Sequence, residues 1–328
     1  MPPSRPAHKE NCMSSPRGFQ HDVDMRVEIA GIEFPNPVLA ASGTFAYGIE
    51  FEDVVNLDRI GGFVTKGISR EPMAGNPAPR LIETAAGMIN AIGLQNIGVE
   101  AFITQKLPAL ARYKCPVIVN VFGFQQKDYI AVIRRLNDAE GIAAYELNVS
   151  CPNTHAGGIA FGVDKAALSD LVAHARHYSR RPLIVKLSPN VTSIATMARS
   201  AASAGADAIS LVNTFVSLSI DIETRRPRLS NITGGLSGPA IKPIALRMVW
   251  EAAQAVKIPV IGMGGIATPE DAVEFLLAGA SAVQIGTASY ADPRAVEHIG
   301  NGLAHWCSRH HIAKVTDLIG GMQTGPEK

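Results

Sequence analysis

The stretch PVIGMGGIATPEDAVEFLLAGASAVQIG, residues 259–286, reads as strand, helix, strand. Pro259–Gly264 and Ala282–Gly286 are short and continuously apolar, as strands covered on both faces are. Between them, Thr268-Pro269-Glu270-Asp271 supplies a cap, a first-turn proline and two acids, which predicts a helix over Pro269–Leu277. Working outward, similar apolar runs occur at Pro37–Ser42, Gly62–Ile68, Pro116–Gly123, Tyr145–Ser150, Leu183–Ser188 and Ala208–Thr214. Amphipathic stretches at Asp164–Tyr178, Thr192–Ala204 and Ile241–Ala255 separate some of them. Eight strands with helices between them predict an α/β protein of the (β/α)8 TIM-barrel class, with a doubly wound open sheet as the alternative. Two connections, Ser69–Glu100 and Phe215–Lys242, are too long for plain barrel loops. They predict long insertions at the C-terminal face, where barrel enzymes place their sites.

Composition narrows the function classes. In 328 residues, 18% charged side chains and a net charge of +1 give no reason to expect nucleic acid or an anionic membrane as partner. No apolar run reaches membrane-spanning length. Residues 1–24, MPPSRPAHKENCMSSPRGFQHDVD, carry four prolines and no apolar stretch, so a disordered N-terminal extension is expected rather than a secretory signal. Residues 25–328 are expected to form one barrel domain. Cys12, Cys115, Cys151 and Cys307 lie too far apart for a C-x-x-C motif. That spacing argues against a metal or an iron–sulfur cluster held by this chain alone and suits free thiols in the cytoplasm.

The residues that close each strand carry the chemistry. They are Ser42, Lys66, Asn120, Asn148, Lys186, Asn213-Thr214, Gly264-Gly265 and Gly286-Thr287. In a barrel, all converge on one mouth. The two glycine-rich ends match the place after strands seven and eight where barrels bind phosphate, because glycine lets backbone N–H groups approach an anion. Gly262–Ala267 also fits G-x-G-x-x-A, but it lacks the early βαβ unit and the acid of a dinucleotide fold. Lys66 and Lys186 end apolar strands, where an ammonium group needs an anionic partner or a route to the rim. Cys151 follows a strand end, precedes a proline and sits among amides in Asn148-Val149-Ser150-Cys151-Pro152-Asn153. That setting favours an accessible thiol over the small buried hydrophobe that a lone cysteine usually is.

Asn148–Asn153 resembles the N-x-S-C-P-N signature of the class 1 dihydroorotate dehydrogenases. Gly87–Asn96 is similar to their substrate loop, and Ile232–Pro243 to their flavin-side insertion. The resemblance runs from about Met25 to about Gly320. The G-G-I-A-F-G run at 157–162 and the NAIGLQN loop look like class 1B, whose catalytic chain works with an FAD and [2Fe–2S] subunit that passes electrons to NAD.

The resemblance implies FMN as cofactor, surrounded by Ser42, Lys66, Gly67, Asn120, Asn148, Lys186, Val212, Gly238, Gly264, Gly265, Gly286 and Thr287. It implies that Lys66, Asn90, Ala91, Ile92, Gly93, Leu94, Asn148, Asn213 and Thr214 hold dihydroorotate or orotate. Cys151 would be the base, and a homodimer core or a heterotetramer would be the assembly. Two positions depart from the family pattern: Ser217 stands where a glycine is expected, and Gly67 where a larger residue is common. The rival readings are a dihydropyrimidine dehydrogenase-like flavin reductase, whose clusters need many more cysteines, and a non-redox barrel that binds a phosphate ligand.

Overall fold

The computed structural model describes residues 23–150 and 161–325. Eight strands form its centre: β1 (Val38–Ala40), β2 (Gly62–Val64), β3 (Val117–Val121), β4 (Ala144–Asn148), β5 (Leu183–Lys186), β6 (Ala208–Leu211), β7 (Val260–Met263) and β8 (Ala282–Ile285). Each pairs in parallel with its neighbour in the chain, and β8 pairs with β1 to close the barrel. All eight runs expected from the sequence are strands, each ending short of its expected C-terminal bound, and the fourth starts one residue early, at Ala144.

The strands are fully buried, yet their two faces differ. Tyr145 turns outward and its hydroxyl meets Asn137 at 3.2 Å, at the end of the helix Gln126–Asn137. Glu146, the next residue, turns into the lumen. Successive side chains on a strand point to opposite faces, so apolar residues pack under the helices while alternate positions remain for polar groups inside.

The expected helices are present at Lys165–Tyr178, Ile194–Ser203, Lys242–Ala255 and Pro269–Leu277. Asp164 and Ser193 cap the first two through Ala167 N and Thr196 N, and Thr268 and Asp271 form a reciprocal capping box on the last. The connection from β1 to β2 departs from the (β/α)8 expectation. It holds two single 3₁₀ turns, Ile49–Phe51 and Leu57–Arg59, in place of a helix. Ahead of Met25, Val23 packs on the core, Asp24 N donates to Ala313 O and Asp24 O accepts from Val315 N.

The two long connections leave the C-terminal end of the barrel and meet each other. Leu81–Thr84 and Gly87–Asn90 from the first join Phe215–Leu218 and Thr233–Ser237 from the second in one four-stranded antiparallel sheet. The sheet roofs the mouth, with Asn90 opposite Gly235 at its centre.

Candidate active site

Beneath the roof lies a cavity of about 780 Å³, within the range of cofactor and small-molecule sites. Its floor is polar. Glu146 is fully buried, and its carboxylate accepts from Asn120 Nδ2 at 2.7 Å, Ser210 Oγ at 2.8 Å and Gln284 Nε2 at 3.0 Å. Lys186 Nζ stands 3.9 Å from the same carboxylate and donates to Ser42 Oγ at 3.2 Å. A buried ammonium is costly unless paired, and here a carboxylate faces it. Asn148 Nδ2 reaches Asn120 Oδ1 at 3.4 Å, while Asn148 Oδ1 accepts from the Ser150 hydroxyl at 3.0 Å. Asn213 Nδ2 then donates to Ser150 Oγ at 2.8 Å.

Lys66, at the end of β2, lines the same cavity without a carboxylate partner among the described residues. Glu50, whose charge it feels, is committed to Lys106 at 2.8 Å. Burial, reinforced by the charge of Arg80, holds the Lys66 pKa below the ordinary lysine value. A cation so placed is ready for an anionic ligand.

The segment 87–96 is tied down from below. Asn96 is buried; its Oδ1 accepts from Gly98 N at 2.8 Å, and its Nδ2 donates to Leu94 O and Ser69 Oγ, both at 2.9 Å. Asn76 Nδ2 donates to Ala91 O at 2.9 Å, and Arg80 reaches Gln95 Oε1 at 2.7 Å. With these ties in place, Leu94 adopts a left-handed φ of 57°, a conformation sparsely populated without glycine.

At the far end of the cavity, Gly264 (φ 123°) and Gly265 (φ 77°) lie against the insertion. A Cβ on Gly265 would come within 2.8 Å of Gly238 O, so only glycine fits. The backbone N–H groups of Gly264, Gly265, Gly286 and Thr287 make no backbone hydrogen bond among the described residues. Four open donors at one end of a pocket suit a phosphate. The residues present therefore fit FMN: open amides for its phosphate, and Lys186, Asn120 and Asn148 on a polar floor for its ring.

Ser42, Lys66, Gly67, Asn90, Ile92, Gly93, Leu94, Asn120, Asn148, Lys186, Val212, Asn213, Thr214, Gly238, Gly264, Gly265, Gly286 and Thr287 all line this one cavity. Ala91 does not. It is fully buried with Ile89 and Leu229 on the far side of the loop. Cys151 lies outside the described residues, as do 157–160 of the glycine-rich run.

The two departures have physical reasons. A Cβ on Gly67 would stand 2.9 Å from Asn120 Oδ1, so glycine lets that amide sit close. Ser217 lies in regular strand pairing opposite Gly234, where no glycine is required. Sequence reasoning missed Glu146 and Gln284, because their strands were read as continuously apolar. The period of two in Ala144–Asn148 was the signal that could have exposed the first.

A family model described as Dihydroorotate dehydrogenase matches residues 24–306. A chain from Solibacter usitatus that bears the provisional name dihydroorotate dehydrogenase A (fumarate) is 61% identical over 295 residues, covering 90% of this chain and 97% of that one. A dihydroorotate dehydrogenase B (NAD(+)), catalytic subunit, from Pelobacter propionicus is 55% identical over 300 residues, covering 92% and 99%. The crystal structure of DHODH in complex with ferulenol from Eimeria tenella is similar in fold, with a TM-score of 0.76 at 23% identity over 92% of this chain and 89% of that one.

Proposed function

The chain belongs to the dihydroorotate dehydrogenase family, and we propose from this that it oxidises dihydroorotate to orotate with bound FMN, in pyrimidine biosynthesis. One observation carries the reading. A single cavity combines a lysine with no carboxylate partner among the described residues, a set of fixed amides and an end ready for phosphate. When bound, FMN supplies the acceptor for the hydride that leaves C6 of the substrate.

The chain's own groups do the rest. Lys66 Nζ balances the substrate carboxylate, and burial strengthens that contact. Asn90, Asn148 and Asn213 present amides that donate and accept, matching the alternating C=O and N–H groups of the ring. Cys151 takes the proton from C5. A thiol near its free pKa is only a few per cent thiolate at neutral pH, so position must compensate for acidity.

The electron acceptor belongs to the same reading. We assign the chain to the NAD-linked class 1B, working with an FAD and [2Fe–2S] subunit around a homodimer core or in a heterotetramer. Relatives named for NAD and for fumarate both match, so acceptor assays separate the classes. The chain alone is expected to turn over with artificial acceptors but not with NAD, and fumarate-dependent turnover would move it to class 1A.

The deciding experiment is an absorbance spectrum of the purified protein before and after dihydroorotate. A yellow protein that bleaches supports the reading; a protein that carries no flavin, or does not bleach, ends it. Cys151→Ser is expected to stay yellow and bind orotate while flavin reduction slows by about 10²- to 10⁴-fold. Bleaching near the wild-type rate would remove Cys151 as the base.

A further inference from the structure

Glu146 is the buried acid beneath the cavity floor, and the reaction above does not use it. It sits on β4, two residues before Asn148, and faces the barrel axis. Every polar contact it makes among the described residues is a donor pointing at it: Asn120 Nδ2, Ser210 Oγ and Gln284 Nε2, with the Lys186 ammonium 3.9 Å away. These come from β3, β6, β8 and β5, so one carboxylate ties together strands from around the barrel. An amide can present either end to a neighbour, whereas a carboxylate with all contacts of this kind only accepts.

We infer that Glu146 is a positioning residue that sets the direction of the Asn120, Asn148 and Asn213 amides, from the floor toward the mouth. Because Glu146 accepts, Asn120 must turn its Nδ2 down and its Oδ1 up. Asn120 Oδ1 then receives Asn148 Nδ2, which turns Asn148 Oδ1 toward the Ser150 hydroxyl and amide. Ser150 Oγ in turn receives Asn213 Nδ2, and Asn213 Oδ1 accepts Thr214 N at 2.8 Å. The polarity of Asn148 and Asn213, both of which line the ligand cavity, is inherited from a group that does not line it. Glu146 also places a negative charge behind Lys186, which limits the positive field at the cavity floor. The inference rests on the functional reading, since it concerns the site in which that reading places orotate.

The test uses flavin-loaded protein. Wild-type protein that fails to bind orotate would end the functional reading before any variant is made. If it binds, Glu146→Gln keeps the shape but offers an N–H where donors already point. Orotate affinity, read from the perturbation of the flavin spectrum, is expected to fall by roughly tenfold or more, the scale of a buried polar group left unmatched. The flavin midpoint potential is expected to move positive, because Lys186 loses its counter-charge. Ser210→Ala removes one donor from the carboxylate but leaves the amide chain intact, and is expected to keep orotate affinity within about twofold while losing some stability. Should Glu146→Gln not fold, Asn120→Leu cuts the chain just above it and is expected to lose orotate affinity to a similar degree. Two results overturn the inference: a folded Glu146→Gln, or in its absence Asn120→Leu, that binds orotate like wild type, or a Ser210→Ala that loses as much affinity as the variant it controls.

Discussion

Two lysines end two apolar strands of the same barrel, and they live in opposite conditions. Lys186, on the floor, has Glu146 facing it and Ser42 accepting from it, and its side chain is 5% exposed. Lys66, at the mouth, is half-buried with no described carboxylate to pair with, and its pKa is pulled down by burial and by Arg80. The sequence context of the two is alike. What separates them is the acid: Glu146, on the neighbouring strand β4, faces Lys186, while no described carboxylate faces Lys66. A charge satisfied within the fold belongs to the architecture, and a charge left unsatisfied beside a cavity is held for a ligand.

This contrast can be broken most severely at the floor. Lys186→Met leaves Glu146 buried without its cation, and losing one member of a buried pair costs about 3–5 kcal/mol. The low end is expected, because three hydrogen bonds remain on the carboxylate. Denaturant unfolding measures it, and a loss under about 1 kcal/mol would show that the pair does not hold the floor.

At the mouth the same substitution should act on ligand and not on fold. Lys66→Met removes a charge-assisted contact worth roughly 1.5–3 kcal/mol, or about 10- to 150-fold in orotate affinity. Its melting temperature should hold or rise, since an unpaired, partly buried ammonium is removed. Calorimetric titration with orotate checks the affinity, and a Lys66→Met protein that binds normally would place the carboxylate elsewhere.

The gentlest test is pH. The Lys66 pKa lies below its ordinary 10.5 in the free protein, and a bound carboxylate raises it. Binding then takes up a proton in the window between the two values. Orotate affinity should be full below the free-protein pKa and decline as pH rises through it, while the Lys66→Met protein shows no such decline. Folding has the opposite sign. The unfolded chain keeps the higher pKa and binds more protons, so Lys66 opposes folding at low pH and that cost fades as pH rises through its folded pKa.

The barrel was legible because burial on both faces leaves a strong local mark: eight apolar runs, bounded by polar or glycine ends. The cavity was legible for the same reason, since strand ends in a parallel barrel must share a mouth. The roof was less so. Its length marked the two connections as insertions, but Asn90 meets Gly235 across 145 positions, and no local pattern announces that pairing. Glu146 and Gln284 were hidden by the apolar neighbours that turn outward beside them. Ala91 was expected at the site only because it stands within a loop that carries the resemblance, and its side chain packs with Ile89 and Leu229 away from the cavity.

The closure of the barrel has a consequence for how the molecule stays shut. Seven of its seams join strands that follow one another in the chain, but the seam between β8 and β1 joins its two ends, with Val283 against Val38. Joining distant segments carries the largest entropy of loop closure and comes late. The two edges of that seam end in the groups that line the cavity there, Ser42 on one and Gly286 and Thr287 on the other. Whatever occupies that end of the chamber therefore grips the first strand and the last together. It serves as a clasp on the ring, and its departure loosens the one join that the chain's own order does not secure.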